Sequence, residues 1–526
     1  MKSRKSIIAG AILSIMLCVS IVAGATFALF ETKDEINVSV GSANVKITAT
    51  IGDLETYSYD ATENAQIRTV ASGTFTAGGT ATVGANGSLV LDRIAAGDKV
   101  TFNLNVKNES NIKTKWRTVV KCLNGRELYD GLAITLGGET KTVTAYEDLD
   151  IAPEGGETKT VAVSIELPYE AGNEFLNKNC ELVVRAEAVQ ANAAITEVTE
   201  ATEVKNSLAN GGTTLLSSDI ELSEAVTVAG GNATLDLNGN TLTVPTNSAL
   251  TVNNGGTLEI TNGKVVCKKT SNKEYGHVAA IGSGSTVTLE NAVIEGEHDG
   301  LFIQNDGSSN GPTLNVKNSS ITARDAFCIS TNAATSDHYN VVINVENSVL
   351  SGNSAVMVNI PSILNIKNST ILGGLHGVIV RSGTVNIEDT TIFSASDASV
   401  TDYFETHNWG SGNMVELASL TVGNRNGGYV GNAECNLKNV TILRNGAVDG
   451  SKALFITGGN EVNGTKYGAS LTFDENCKIG VATLDDGVLN VSSIKALEYN
   501  DNVKDVIVDS KAPDRTKISI NGIALN

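Results

Sequence analysis

Leu364-Asn-Ile-Lys-Asn-Ser-Thr-Ile371 and the line that follows it, Val385-Asn-Ile-Glu-Asp-Thr-Thr-Ile392, decide the fold. Each alternates apolar and polar residues, sets Asn or Asp two positions past the second apolar one, and returns to an apolar residue three further on. The same line recurs at Thr257–Val265, Val287–Ile294, Leu314–Ile321, Ile343–Leu350 and Cys435–Ile442. A second apolar run follows most copies, as in Ala355-Val-Met-Val358, Gly377-Val-Ile-Val380 and Ala453-Leu-Phe-Ile456. The pivots Asn262, Asn291, Asn318, Asn347, Asn368, Asp389 and Asn439 are spaced by 29, 27, 29, 21, 21 and 50 residues. Repeats this short, each with two or three strands, are too small for antiparallel blades and suit single turns of a parallel β-helix. Asn and Asp tolerate the left-handed backbone of a sharp corner. Stacked Asn amides can also bond one another along the axis, so the pivots predict a structural ladder. About ten rungs at ~4.8 Å each give a rod about 50 Å long.

Working outward, residues 195–210 are helix-permissive, with Ile195, Val198, Val204 and Leu208 tending to one face and Gly211-Gly212 ending the run. A helix there would cover the exposed end of the repeat core. Upstream, Lys99–Val106, Thr118–Cys122, Leu132–Leu136, Thr160–Leu167 and Glu181–Ala188 read as short strands separated by turn residues. The fold class is therefore all-β: an N-terminal antiparallel sandwich, then a C-terminal parallel β-helix with a short capping helix; resemblance to known families implies in addition that the sandwich is jelly-roll-like and the parallel β-helix right-handed. The expected division is an export segment at 1–28, the sandwich at 29–190 and a linker with the helix at 191–210. The β-helix follows at 211–490, and a C-terminal cap of unassigned fold at 491–526.

Composition restricts the function. The chain has 526 residues, 58 acidic against 38 basic side chains and a net charge of −20. No nucleic-acid partner is expected, because phosphate neutralisation needs a basic face. Lys2, Arg4 and Lys5 precede an uncharged run from Ile7 to Phe30 with small residues at its exit, the pattern of a secretory signal and a signal-peptidase substrate. An uncleaved anchor is the alternative. Beyond Cys18 the cysteines are Cys122, Cys180, Cys267, Cys328, Cys435 and Cys477, without CxxC spacing, so no metal or cofactor site is expected. Whether Cys122 and Cys180 pair is open.

The export segment running into Ala25-Thr26-Phe27-Ala28-Leu29-Phe30, then Asn37–Val45, resembles the TasA/camelysin-like group of Gram-positive bacteria. Gly97–Val100, Val163–Pro168, Ala171–Phe175 and Ala186–Gln190 are similar to its jelly-roll domain. The resemblance implies export by a dedicated signal peptidase and a place in extracellular matrix, spore coat or cell surface. It also implies possible self-association, with Leu29–Val40 added as a strand to a neighbour's sheet; the alternative is an edge strand of its own domain. Some of the group are labelled metallopeptidases, but this chain has no histidine before His277 and so no HExxH helix in that domain. The repeats, from Leu235-Asp-Leu-Asn-Gly-Asn-Thr-Leu242 onward, resemble the β-helix of pectate-lyase-like proteins. That fold hosts lyases, hydrolases, adhesins and passive stalks and does not choose among them.

Catalysis on such a rod needs paired carboxylates or a base beside clustered acids, and neither constellation recurs on adjacent rungs. His376-Gly377 and Arg381 faintly echo polygalacturonase signatures, without an Asp-Asp pair on the preceding rungs. The tight connections Asn359–Ser362 and Arg381–Gly383, flanked by longer loops, predict a saddle with Arg381 near its floor. The insertion Ser394–Asn413 gathers Asp402, Tyr403, Phe404, Glu405, His407 and Trp409. Its rings either stack on sugars or fold inward to anchor the loop. Arg381, Tyr403, Phe404, His407 and Trp409 are thus the candidate glycan-binding residues, with cell-wall or host glycans as the partners. The leading expectation is an exported matrix, surface or adhesin-like structural protein; the alternative is a carbohydrate-binding or carbohydrate-active β-helix.

Overall fold

A computed structural model describes residues 45–52, 54–84, 88–150, 158–172, 175, 178–244, 250–267, 279–281, 284–296, 300–305, 310–333, 340–396, 417–424, 430–485 and 488–525. The export segment, Leu29–Val40 and the aromatic stretch 397–416 lie outside the described residues. Two compact units emerge: Met1–Lys121, Leu132–Tyr169 and Leu182–Ile195 in one, Cys122–Gly131, Glu170–Glu181 and Thr196–Asn526 in the other. The single boundary expected near 190 is thus replaced by a division in which two upstream segments group with the second unit.

The first unit is built from two sheets. One runs in the order Ala65–Arg68, Glu55–Asp60, Lys99–Asn108, Thr158–Glu166, Ala133–Leu136, Glu139–Thr140, and Ile47–Ile51 also pairs with Lys99–Asn108. The other has Thr114–Asn124 and Asn179–Gln190 at its centre. Strict alternation in Lys99–Asn108 turns Val100, Phe102, Leu104 and Val106 inward. Its antiparallel partner supplies Val163 and Ile165 to the same face.

The second sheet also buries charge. Glu187 (1% exposed) receives Arg117 through Nη2 at 2.9 Å and Nε at 3.2 Å, while Lys121 Nζ lies 3.5 Å from its other oxygen. The Arg117 guanidinium also lies 4.6 Å from the centre of the Tyr146 ring. The cysteines named above after Cys18 are buried free thiols. A hydrogen bond between the Cys122 and Cys180 thiols, together with burial, holds Cys180 well above its ordinary pKa.

The second unit is a parallel β-helix from Gly212 to Ile520. Strand Ser362–Lys367 shows how the repeat works. It pairs in parallel with Val341–Glu346 on one side and Gly383–Glu388 on the other, so Ile343, Leu364 and Val385 stack, and so do Val345, Ile366 and Ile387. All six are buried within one continuous core. Two further faces complete each turn. The second carries Val349–Gly352, Thr370–Gly373 and Thr391–Ser394; the third carries Val356–Val358, Val378–Val380 and Leu420–Val422. Strand Thr370–Val380 serves both faces by bending, and Gly373 marks the bend: a Cβ there would lie 2.0 Å from the His376 carbonyl oxygen.

Each pivot stands at a corner with φ between +46° and +57°, at Asn262, Asn291, Asn318, Asn347, Asn368, Asp389 and Asn439 alike. Asn291 Nδ2 donates to Asn262 Oδ1 at 3.2 Å, Asn347 to Asn318 at 3.2 Å, and Asn439 to Asp389 at 2.7 Å. Asn262 donates in turn to Asp236 at 3.4 Å, at the long end of hydrogen bonding. Asn262, 2% exposed, therefore serves backbone and ladder together. Asn262→Ala is expected to cost about 2–3 kcal/mol, about 1–2 for the left-handed backbone and about 1 for the buried amide. Asn262→Gly should recover the backbone share, which urea denaturation of the three proteins would measure.

The ends depart from the expectation. The helix begins only at Ala201 and runs to Asn210, opened by a capping box between Glu200 and Glu203. Ile195–Val198 is instead a strand joined to the first rung, consistent with its β-branched residues. Val204 and Leu208 still enter the core. At the other end the coil does not stop at 490. Lys478–Asp485 turns back on Val488–Ala496 as a hairpin, then Ile507–Val508 and Ile518–Ile520 add to the third and first faces. Ile523–Ala524 folds back antiparallel on the last strand.

Candidate functional site

The outward side of the first face is the most regular surface among the described residues. Between the two inward apolar positions of each strand lies one outward residue, and on successive rungs it is Thr288, Asn315, Asn344, Asn365, Asn386, Asn436 and Thr472. The Asn side chains are joined head to tail. Asn344 donates to Asn315, Asn365 to Asn344, Asn386 to Asn365 and Asn436 to Asn386, each at 2.9 Å. One Nδ2 hydrogen of each donor is used in the ladder, so the amide keeps a second donor for the solvent side.

Two rows flank this one. Glu290, Lys317, Glu346, Lys367, Glu388 and Lys438 follow each other in register, alternating in sign. Lys438 Nζ reaches Glu388 at 2.5 Å and Lys367 approaches its other oxygen at 3.7 Å. The Lys438 hydrogen bond holds the Glu388 carboxyl below its ordinary pKa, and Glu388 raises Lys438 in return. This row is therefore charged but self-neutralising. On the other flank Thr313, Val342, Ile363 and Thr384 are in register, with Ile363 49% exposed beside Val342. The face presents amides, hydroxyls and a small apolar patch between the alternating charges of one flank and Glu434, which follows Thr384 in register on the other.

The sequence-predicted residues lie elsewhere. Arg381 is 4% exposed, so it does not lie open on a saddle floor; its Nη1 donates to Asn359 Oδ1 of the preceding turn at 3.3 Å. The connection is too tight to leave it in solvent: Gly383 has φ +83°, and a Cβ there would meet the Ser362 backbone at 2.3 Å. His376 is wholly buried, in register with Ser354. It lies near the Ala418 backbone, but neither imidazole nitrogen meets hydrogen-bond geometry among the described residues. Burial first, and the Arg381 charge second, push its pKa down to about 3, so it is neutral at physiological pH and shut off from solvent. Such a histidine cannot exchange protons with a surface substrate. Asn353, also buried, leaves its amide unbonded nearby. Tyr403, Phe404, His407 and Trp409 fall outside the described residues, as do Asp402 and Glu405.

Sequence reasoning took the pivot Asn as the signal and passed over the residue three positions before it. The clue was present: that residue is Asn315, Asn344, Asn365, Asn386 or Asn436 in five copies of the line. Among the described residues no helix is long and apolar enough to cross a membrane, and no group of metal-ligating side chains gathers.

No family model matches the chain, and no curated protein does; the TasA/camelysin-like resemblance therefore rests on its quoted residues alone. Among solved structures the chain is similar to the catalytic unit of a thermostable GH87 alpha-1,3-glucanase from Streptomyces thermodiastaticus strain HF3-3. The identity is 12%, with 91% of this chain and 96% of that one covered and a TM-score of 0.20. It is also similar to the tailspike protein gp49 from Pseudomonas phage LKA1, at 14% identity, 83% and 62% coverage and a TM-score of 0.15. At these scores neither likeness bears on what this chain does.

Proposed function

We propose that the chain is an extracellular carbohydrate-binding protein whose β-helix lays a neutral, linear polysaccharide along the Asn315–Asn436 ladder. The observation that carries the reading is the unbroken amide row at rung spacing, about 4.8 Å, flanked by hydroxyls and the Val342–Ile363 patch. Saccharides are recognised by planar amides that donate and accept together, and by apolar surface under their C–H faces. A repeating polymer meets the same donor on every rung. The extracellular placement rests on the basic and apolar pattern of residues 1–28. A matrix or surface role is compatible with this reading, since a polymer-binding rod can tie a protein to a wall or matrix.

The reading is tested by affinity electrophoresis through gels containing neutral glucans, xylans or mannans. At least one should retard the protein, and Ile363→Asp combined with Asn365→Ala should cut the affinity tenfold or more with an unchanged circular dichroism spectrum. Retardation by none of them, or equal retardation of the variant, would sink it.

A further inference from the structure

The C-terminal end of the coil carries a second feature, of opposite character to the ladder face. Where strand Lys478–Asp485 leaves its rung to pair with Val488–Ala496, the wall between second and third faces opens into a cavity of about 610 Å³. Arg444, Lys452, Lys495 and Lys504 line it, against the single carboxylate of Asp505. That concentration of positive charge stands in a chain of net charge −20. The floor is apolar, and Ile494 and Ile507 remain 51% and 42% exposed.

The cations already have partners within the chain, Lys452 Nζ donating to the Gly450 carbonyl at 3.2 Å. Lys495 Nζ is held by Asp505 at 2.6 Å, and Lys504 lies 4.6 Å over the Tyr499 ring. Among the described residues Arg444 touches the Asn445 carbonyl and Ser451 hydroxyl through Nη1, both at 3.4 Å, which turns the other edge of its planar fork to a bidentate anion. A half-exposed isoleucine pair beside a cationic rim suits a ligand with flat apolar faces and regularly spaced negative groups.

We infer that this groove binds a linear anionic polysaccharide, its carboxylates or sulfates on Arg444, Lys452 and Lys504 and its sugar faces on Ile494 and Ile507. The choice of a saccharide among anionic polymers rests on the function proposed above; the groove itself is separate from the ladder. An acyl chain would need an enclosed apolar tunnel rather than a shallow floor. An extended nucleic acid would need stacking rings, and Tyr499 is already occupied by Lys504.

The test is isothermal titration with alginate, dextran sulfate, uncharged dextran and poly-glutamate, at low and at 0.5 M salt. Binding of alginate, dextran sulfate or both is expected, weakening at high salt, with uncharged dextran at least tenfold poorer; alginate alone would identify a carboxylate ligand, dextran sulfate alone a sulfate. Arg444→Ala with Lys504→Ala should lower the affinity at least tenfold. Asp505→Asn, which removes the opposing charge, should raise it severalfold, a gain that misfolding cannot mimic. Ile363→Asp with Asn365→Ala should leave it unchanged; loss of anionic binding in that variant would overturn the groove, whereas failure of the neutral-glycan retardation with anionic binding intact would count against the ladder alone. Equal affinity for poly-glutamate, indifference to the groove variants, or no gain from Asp505→Asn would overturn the inference.

Discussion

Acidification from pH 6.5 towards 3 should cost the β-helix about 1.4 kcal/mol per pH unit through His376 alone, and His376→Leu should abolish that share. The folded imidazole is held down to about 3 by burial and by Arg381. In the unfolded chain it titrates near 6.5. Between those values the unfolded state carries a proton that the folded state refuses, so stability is present above 6.5 and is lost as the pH falls. Urea denaturation of parent and variant at pH 7, 5 and 4 gives the difference directly. At pH 7 the substitution should be neutral or stabilising, because leucine fills the site without burying ring nitrogens that lack good hydrogen-bond geometry among the described residues. A constant offset between the two proteins across the range would show that His376 is solvated.

Glu187→Ala should destabilise the sandwich by about 3–5 kcal/mol, since it removes the carboxylate shared by buried Arg117 and Lys121. The cost is the stranding of charge more than the loss of an attraction. Replacing Glu187, Arg117 and Lys121 together by apolar residues of similar size should therefore be far milder than Glu187→Ala, and the mismatch from additivity is what a mutant cycle would read. A single substitution costing under 1 kcal/mol would mean that water reaches the pair.

The coil was legible in the sequence because one constraint repeats. Every corner needs a left-handed residue, every strand two inward apolar ones, and chemistry offers few ways to write either, so Asn347-Ser-Val-Leu350 and Asn368-Ser-Thr-Ile371 announce themselves. The outward residues were harder to weigh, because solvent tolerates almost anything there. The identity of Asn344, Asn365 and Asn386 becomes informative only once the register sets them side by side. Arg381 was misplaced for a related reason: an arginine in a short connection reads as exposed, whereas the turn folds it against Asn359. The fold of the cap expected at 491–526 was not legible, since Ile507–Val508 and Ile518–Ile520 rejoin the sheets after a hairpin that interrupts the period.

Among the described residues, a helix seals one mouth of the coil, and at the other Ile523–Ala524 folds back on the last strand. Residues 341–361 and 362–382 are successive links of equal length, joined in parallel register to each other and to the next rung. Duplicating one would insert a whole rung, about 4.8 Å, and leave both seals undisturbed. The reach of the rod is thus a quantity that gene duplication can adjust one step at a time.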